Sequence, residues 1–223
     1  MIEIKNITKE YNGKKVLDIA SLGFRADKIY ALMGANGSGK STLIRIMAGT
    51  LLPDSGVVSG ADKGTIGYMP QSAYAFGFSV QKNVEMALGR DKNKKQRARE
   101  ALSLVGMLEL SEKRGNTLSG GESQRMALAR MLAIKRHILL LDEPTSAADI
   151  AGIDMIENAL ISYKRKHGCT MVFSTHAPAQ ALRLADYTVF LDKGHIAEIG
   201  ETENVLHNPV SDAARLFLQH WRI

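Results

Sequence analysis

The segment Gly34-Ala35-Asn36-Gly37-Ser38-Gly39-Lys40-Ser41 constrains this chain more than any other. It follows a short apolar run, Ile29-Tyr30-Ala31-Leu32-Met33. It precedes Leu43, Ile44, Ile46 and Met47, which recur at helical spacing with Gly49 near the stop. A Gly, four residues and then Gly-Lys-Ser, set between a strand and a helix, is the pattern of a phosphate-binding loop, or P-loop. The glycines let the backbone fold tightly around phosphates with its N–H groups aimed inward, and the helix adds its positive N-terminus. Lys40 then reaches the β- and γ-phosphates and Ser41 ligates magnesium. An ordinary Gly-rich turn is the plainer reading, but in a chain of average composition this match arises by chance on the order of one time in a hundred.

The rest of the chain supplies a suitable scaffold. Ile2-Glu3-Ile4-Lys5 alternates like a half-buried strand, and Asn12-Gly13 reads as a hairpin turn. Ile138-Leu139-Leu140-Leu141 is apolar throughout, as a parallel strand covered on both faces must be, and Thr170–Ser174 and Tyr187–Leu191 are further runs of this kind. Helical patterns separate them, over Ile150–Lys166 and Pro178–Ala185. Strands alternating with helices predict an α/β fold. Helical patterning over Val84–Val105 and after Ser119, with no obvious strand between Ser72 and Lys135, predicts a helical insert.

Asp142 and Glu143 follow the apolar run 138–141, at the strand end where an open parallel sheet presents its ligand-contacting groups. Alone, such a pair is a turn or a helix cap. Beside a P-loop, Asp142 is placed to hold magnesium and Glu143 to orient or deprotonate the attacking water. Leu118-Ser119-Gly120-Gly121-Glu122 has the spacing of a capping box, and its glycines could equally bare backbone N–H groups as a second anion site. Taken singly, His176 reads as a structural histidine and Gln71 as a loop residue.

Composition bounds the alternatives. The 223 residues form one large or two small domains, and 45% hydrophobic with 23% charged residues excludes a disordered or collagen-like chain. A single cysteine, Cys169, forbids an internal disulfide and fits a reducing compartment, and the six scattered histidines have no zinc-ligand spacing. Met1–Lys5 lacks the pattern of a signal peptide. The uncharged stretch Gly64–Gln81 is 18 residues long, but Pro70, Gln71, its glycines and its hydroxyls make it a poor membrane span. The net charge of +6 suits phosphate ligands, an anionic membrane surface or nucleic acid. The densest basic run, Lys92, Lys94, Lys95, Arg97 and Arg99, has no interleaved aromatic and reads as a solvated helix face, so no nucleic-acid partner is expected.

Together these motifs, in this order over nearly the whole chain, resemble the nucleotide-binding subunit of an ATP-binding-cassette (ABC) transporter. The run Leu118–Glu122 resembles the family signature and is the most specific element. The resemblance implies a P-loop NTPase core, a mostly parallel sheet with flanking helices, plus an N-terminal antiparallel β region and an inserted helical subdomain. It implies one cassette domain over residues 1–223, with residues 1–71 and 136–223 as the core and 72–135 as the signature subdomain.

The same resemblance assigns roles to single residues. ATP is held by residues 34–42, through Thr42, with Val16 and with Tyr11 stacked on adenine, and Mg2+ by Ser41, Gln71 and Asp142. Glu143, His176, Gln71 and Lys40 carry the hydrolysis. Ser119, Gly120, Gly121 and Glu122 act on the ATP of an opposite subunit, and Ser146-Ala147-Ala148-Asp149 is the loop crossing the dimer interface. Two positions depart from the family pattern: Ala148 stands where a leucine is often found and Ala177 where an aspartate is common.

One P-loop and one signature per chain imply two chains head to tail with two ATP molecules between them, closing on ATP and reopening on hydrolysis. The implied partners are a second, identical ATPase subunit, membrane-spanning permease subunits and, for an importer, an extracytoplasmic substrate-binding protein. Tyr74, Phe76 and Phe78 either line a groove for a permease helix or make a local core contact. The implied location is the cytoplasmic face of the cell membrane, peripheral through partners. The segment from Gly200 through Asn208-Pro209 to the end resembles the tail of importer ATPases for inorganic anions and polar amino acids, leaning to tungstate or phosphate. No C-terminal regulatory domain is expected after it. The alternative is a soluble cassette ATPase in an assembly pathway such as iron–sulfur cluster biogenesis. A nucleoside-phosphate kinase is disfavoured by the signature and the Asp142-Glu143 pair.

Overall fold

A computed structural model describes residues 1–60 and 63–221, so Arg222 and Ile223 of the importer-like tail lie outside the described residues. The elements begin with β1 (Ile2–Tyr11), β2 (Lys14–Phe24), β3 (Ile29–Met33), α1 (Lys40–Met47), β4 (Ser55–Ser59) and β5 (Ile66–Met69). The helices α2 (Val80–Glu85), α3 (Lys94–Leu104) and α4 (Gly120–Leu132) follow, then β6 (Ile138–Leu141), α5 (Ile150–His167) and β7 (Thr170–Ser174). The chain continues through α6 (Pro178–Leu184), β8 (Tyr187–Asp192), β9 (His195–Glu201), α7 (Thr202–His207) and α8 (Asp212–Gln219). Among the described residues no helix is long and apolar enough to cross a membrane.

The chain forms two compact units, Met1–Ile66 with Ile138–Asp142 and Cys169–Ile223, and Gly67–His137 with Glu143–Gly168. In the first unit, β1 and β2 make an antiparallel hairpin whose two-residue turn, Asn12-Gly13, takes φ 51° and 76°. Those left-handed angles match the right-handed strand twist, which is why Asn-Gly suits the position. β4 pairs with the other edge of β1. The larger sheet runs β6-β7-β3-β8-β9 in this unit, parallel from β6 to β8, with β9 antiparallel at the edge. Every residue of β3, β6 and β7 is buried, as the unbroken apolar runs require.

In the second unit, Val84, Leu102, Met126, Leu128, Ile156 and Tyr163 are buried among α2–α5. The expected helix over Val84–Val105 is interrupted: α2 gives way to a 3-10 turn at Met86–Leu88 and Gly89 turns at φ 54° before α3 starts. The compact units cut the chain at different places from the sequence boundaries 71/72 and 135/136. Helix α5 falls in the second unit, where the Tyr163 hydroxyl donates to the Ile134 carbonyl at 3.0 Å and accepts from the Arg136 amide at 2.7 Å.

Candidate functional site

Three loops leave the carboxyl ends of adjacent parallel strands in the first unit: residues 34–39 after β3, Asp142 after β6 and Thr175-His176 after β7. An open α/β sheet binds its ligand at this end, beside the switch in strand order around β3. Close neighbours exclude a side chain at two of the loop's glycines. A Cβ on Gly34 (φ 138°) would lie 2.1 Å from the Leu191 carbonyl oxygen. One on Gly39 (φ 107°) would lie 2.6 Å from Leu17 Cδ2 and 2.9 Å from the Val16 oxygen. Gly37, at φ 78°, faces open space. The Gly194 amide donates to the Ser38 carbonyl at 3.0 Å, fixing the loop from the β8–β9 turn.

Lys40 is 5% exposed and turns back into the loop, its Nζ donating to the Gly34 and Ala35 carbonyls at 2.8 and 3.0 Å. Ser41 Oγ donates to Asp142 Oδ1 at 2.9 Å, and Ser174 Oγ donates to the same oxygen at 2.7 Å. Ser38 Oγ is buried with no hydrogen-bond partner among the described residues. Buried hydroxyls are almost always satisfied, so an orphan in a phosphate-binding loop fits a phosphate oxygen as its missing partner. A hydroxyl beside a carboxylate is the hard oxygen pair that suits Mg2+, and among the described residues no cluster of three or more His, Cys, Asp or Glu offers another metal site. Ala35, Asn36 and Gly37 are exposed, Thr42 is half-buried on the first turn of α1, and half-buried Val16 lies on β2 against Gly39. Tyr11 is exposed at the hairpin end, with Lys9 Nζ 5.5 Å from its ring centroid. His176 is half-buried beyond β7, where the Thr175 amide donates to the Leu32 carbonyl at 3.1 Å.

The chain passes into the second unit between Asp142 and Glu143. Glu143 takes φ 46°, which a non-glycine residue adopts only when its surroundings hold it there. Its carboxylate oxygen Oε2 accepts from Gln71 Nε2 at 2.9 Å. Ser119 begins α4 with a complete capping box: its hydroxyl accepts from the Glu122 amide at 3.2 Å, and Glu122 Oε2 accepts from the Ser119 amide at 2.8 Å. That backbone bond, reinforced by Lys113, holds the Glu122 carboxyl below its ordinary value despite opposing burial. Gly121 is bare because a Cβ there would stand 2.9 Å from the Ala147 carbonyl oxygen. Ser119, Gly120, Gly121, Ala148 and Asp149 line one cleft of about 200 Å³, and exposed Ser146 begins the loop beside it. Asp149 caps α5, accepting from the Gly152 amide at 2.8 Å.

Two residues that sequence reasoning missed complete these groups. Ser174 stands opposite the start of the Asp142 loop only through the β6–β7 register, in which Leu141 pairs with Phe173. Gln124 is 1% exposed and grips the loop after Glu143. Its Nε2 donates to the Glu143 carbonyl at 3.1 Å and Ser146 Oγ at 3.0 Å, and its Oε1 accepts from the Ala147 amide at 3.1 Å. Of the two departures, Ala177 leaves α6 without a side-chain cap, and its amide instead donates to Thr175 Oγ1 at 3.0 Å. Ala148 packs closely on the start of α5, where a Cβ on Gly152 would sit 3.1 Å from its own.

The family model for ABC transporter matches residues 17–146. The chain is 42% identical over 207 residues to the tungstate uptake system ATP-binding protein TupC of Peptoclostridium acidaminophilum, covering 88% of this chain and 97% of that one. It is 37% identical to the sulfate/thiosulfate import ATP-binding protein CysA of Rhodopseudomonas palustris, over 94% of this chain. It is 35% identical to the putrescine transport ATP-binding protein PotG of Escherichia coli, over 98% of this chain. The chain spans 66% and 62% of the lengths of those last two relatives. Among solved structures, the dimeric ATP-binding cassette MJ0796 in a post-hydrolysis state with ADP and Pi superposes with a TM-score of 0.82 at 26% identity, over 91% of this chain and 99% of that one. The chain belongs to the ATP-binding-cassette family of ABC transporters, and it is an ATPase.

Proposed function

We propose that this chain is the ATP-hydrolysing subunit of a multi-subunit importer for an inorganic oxyanion of the tungstate type. The observation that carries the reading is the convergence of Lys40, Ser41, Asp142 and the orphan Ser38 hydroxyl at the sheet end, in a chain matching a tungstate uptake ATPase over 97% of its length. Two copies lie head to tail. Each holds ATP on residues 34–42, with the adenine on Tyr11 and Val16 beside it. Ser41, Asp142 and Gln71 hold the accompanying Mg2+, which supplies charge neutralisation at the phosphates.

Glu143, its carboxylate held by Gln71 at 2.9 Å, orients the attacking water and takes its proton. The water oxygen bonds to the γ-phosphorus while the bond to the β–γ bridging oxygen breaks, leaving ADP and phosphate. Lys40 and His176 balance charge on the transferred group. Ser119 to Glu122 close over the partner's ATP, with Ser146 and Asp149 at the interface. Loss of the bridging phosphate releases the pair.

The chain is held at the cytoplasmic membrane face by permease subunits, which dock beside Tyr74 and Phe78, exposed at 67% and 54%, and half-buried Phe76. An extracytoplasmic protein delivers the anion. Affinity purification of the tagged chain from detergent-solubilised membranes of its source tests this. Recovery of a polytopic membrane protein in stoichiometric amount is expected. Recovery of soluble partners alone, with the chain wholly in the soluble fraction, contradicts the transporter reading.

A further inference from the structure

We infer that Gln124 is a positioning residue for Glu143, joining the signature helix to the hydrolytic loop of the same chain. The inference rests on the proposed role of Glu143 in orienting water. Gln124 lies on α4, two residues past Glu122, and is buried, as is Leu128 one turn further along the same face. A buried amide is costly unless its donors and acceptor are used. Here the carbonyl oxygen accepts from Ala147 and the NH2 group donates to Glu143 and Ser146, so the amide spans the whole turn 143–147.

That turn carries backbone strain. Glu143 sits at φ 46°, and its carbonyl also accepts from the Ser146 amide at 3.2 Å. A left-handed glutamate persists only where neighbours over-determine it, and Gln124 Nε2 supplies a side-chain bond to this carbonyl. Orientation of the Glu143 backbone sets where its carboxylate points, and Gln71 grips that carboxylate from the other end. Glu143 is therefore fixed at backbone and side chain by two glutamines.

The placement also has a consequence for the pair of ATP sites. The N-terminus of α4 bears Ser119 and Gly121, which serve the partner's ATP, while Glu143 serves the chain's own. Close approach of Gly121 to the Ala147 oxygen, 2.9 Å from a would-be Cβ, leaves the helix start little freedom to move without the loop. Gln124 extends that tie from the loop to the Glu143 carbonyl.

Steady-state ATP turnover of the full chain tests the inference through two substitutions. Gln124→Leu keeps the volume and removes all three bonds. The expected result is a fall in kcat of about 10- to 100-fold, the scale of a small misplacement of a reacting group. KM for ATP should stay within about two-fold, because the three bonds of Gln124 go to the 143–147 turn and not to residues 34–42, which hold the chain's own nucleotide. Gln124→Glu keeps the acceptor but can donate to the Glu143 carbonyl only when protonated. Its turnover relative to wild type should therefore rise as the pH falls from about 8 to about 6, since burial raises a carboxyl's pKa.

A merely structural role would lower stability without moving that pH profile. If Gln124→Leu fails to fold, the pH profile of Gln124→Glu decides alone. Gln124→Leu that turns over within about two-fold of wild type, or Gln124→Glu whose profile runs parallel to wild type, overturns the inference. Glu143→Gln is measured alongside. Full turnover by that variant overturns the role of Glu143 itself, whereas an inactive Glu143→Gln beside a fully active Gln124→Leu overturns the positioning role alone.

Discussion

At the scale of single residues, the P-loop glycines differ in why they are there. Gly34 combines φ 138° with a backbone oxygen 2.1 Å from any added Cβ, so neither side can yield. Gly37 has only its left-handed φ of 78°, with nothing within 4 Å. Gly34→Ala is therefore expected to cost about 3 kcal/mol from forced overpacking, and Gly37→Ala about 1 kcal/mol from backbone strain alone. Paired thermal melts check this, with Gly34→Ala melting roughly 6–12 °C below wild type and Gly37→Ala roughly 2–4 °C below. Equal losses would mean the close approach to Leu191 is not what requires glycine at position 34. The P-loop and Asp142-Glu143 were legible in the sequence because their spacing lies within short segments and its chemistry is local. Ser174 and Gln124 were not. A serine closing a strand and a glutamine on a helix look like surface residues until register and burial bring them to a carboxylate and a loop.

Helices and strands were legible where burial is complete or periodic. β3, β6 and β7 are buried at every residue, and their apolar runs announced them. The Asn12-Gly13 hairpin implied β2, whereas β4, β5 and β9 went unread: β4 is exposed except at Val58 and β9 is half-exposed, so no alternation reaches the sequence there. Helix α4 offers the clearest test at this scale, since its start is a closed capping box. Ser119→Ala should lower stability by about 1 kcal/mol, read from urea midpoints. The Glu122 half of the box has a pH signature. Its carboxyl lies below the ordinary value in the folded chain, so it stabilises fully above the unfolded pKa and that contribution is lost as pH falls through the folded one. The stability gap between wild type and Glu122→Ala should narrow as the pH falls from about 5 to about 3. A gap unchanged by acid would show that the carboxylate charge contributes nothing to the cap.

For the whole molecule, the chain's own division matters most. The break between Asp142 and Glu143 leaves Ser41 and Asp142 in one compact unit and Glu143, with Gln71, in the other. Sequence boundaries at 71/72 and 135/136 could not show this, because α5 joins the second unit through contacts such as Tyr163 with Ile134 and Arg136. Ser119 and Gly121 share the second unit with Glu143, while Lys40 and Ser38 lie in the first. One copy thus offers one P-loop and one signature, and the proposed mechanism needs a second copy to complete each site. Sedimentation of Glu143→Gln with saturating ATP and Mg2+ tests that requirement most directly. The expected result is a species of twice the 24.3 kDa monomer that reverts when nucleotide is removed. A folded, ATP-binding Glu143→Gln that stays at 24.3 kDa would contradict it.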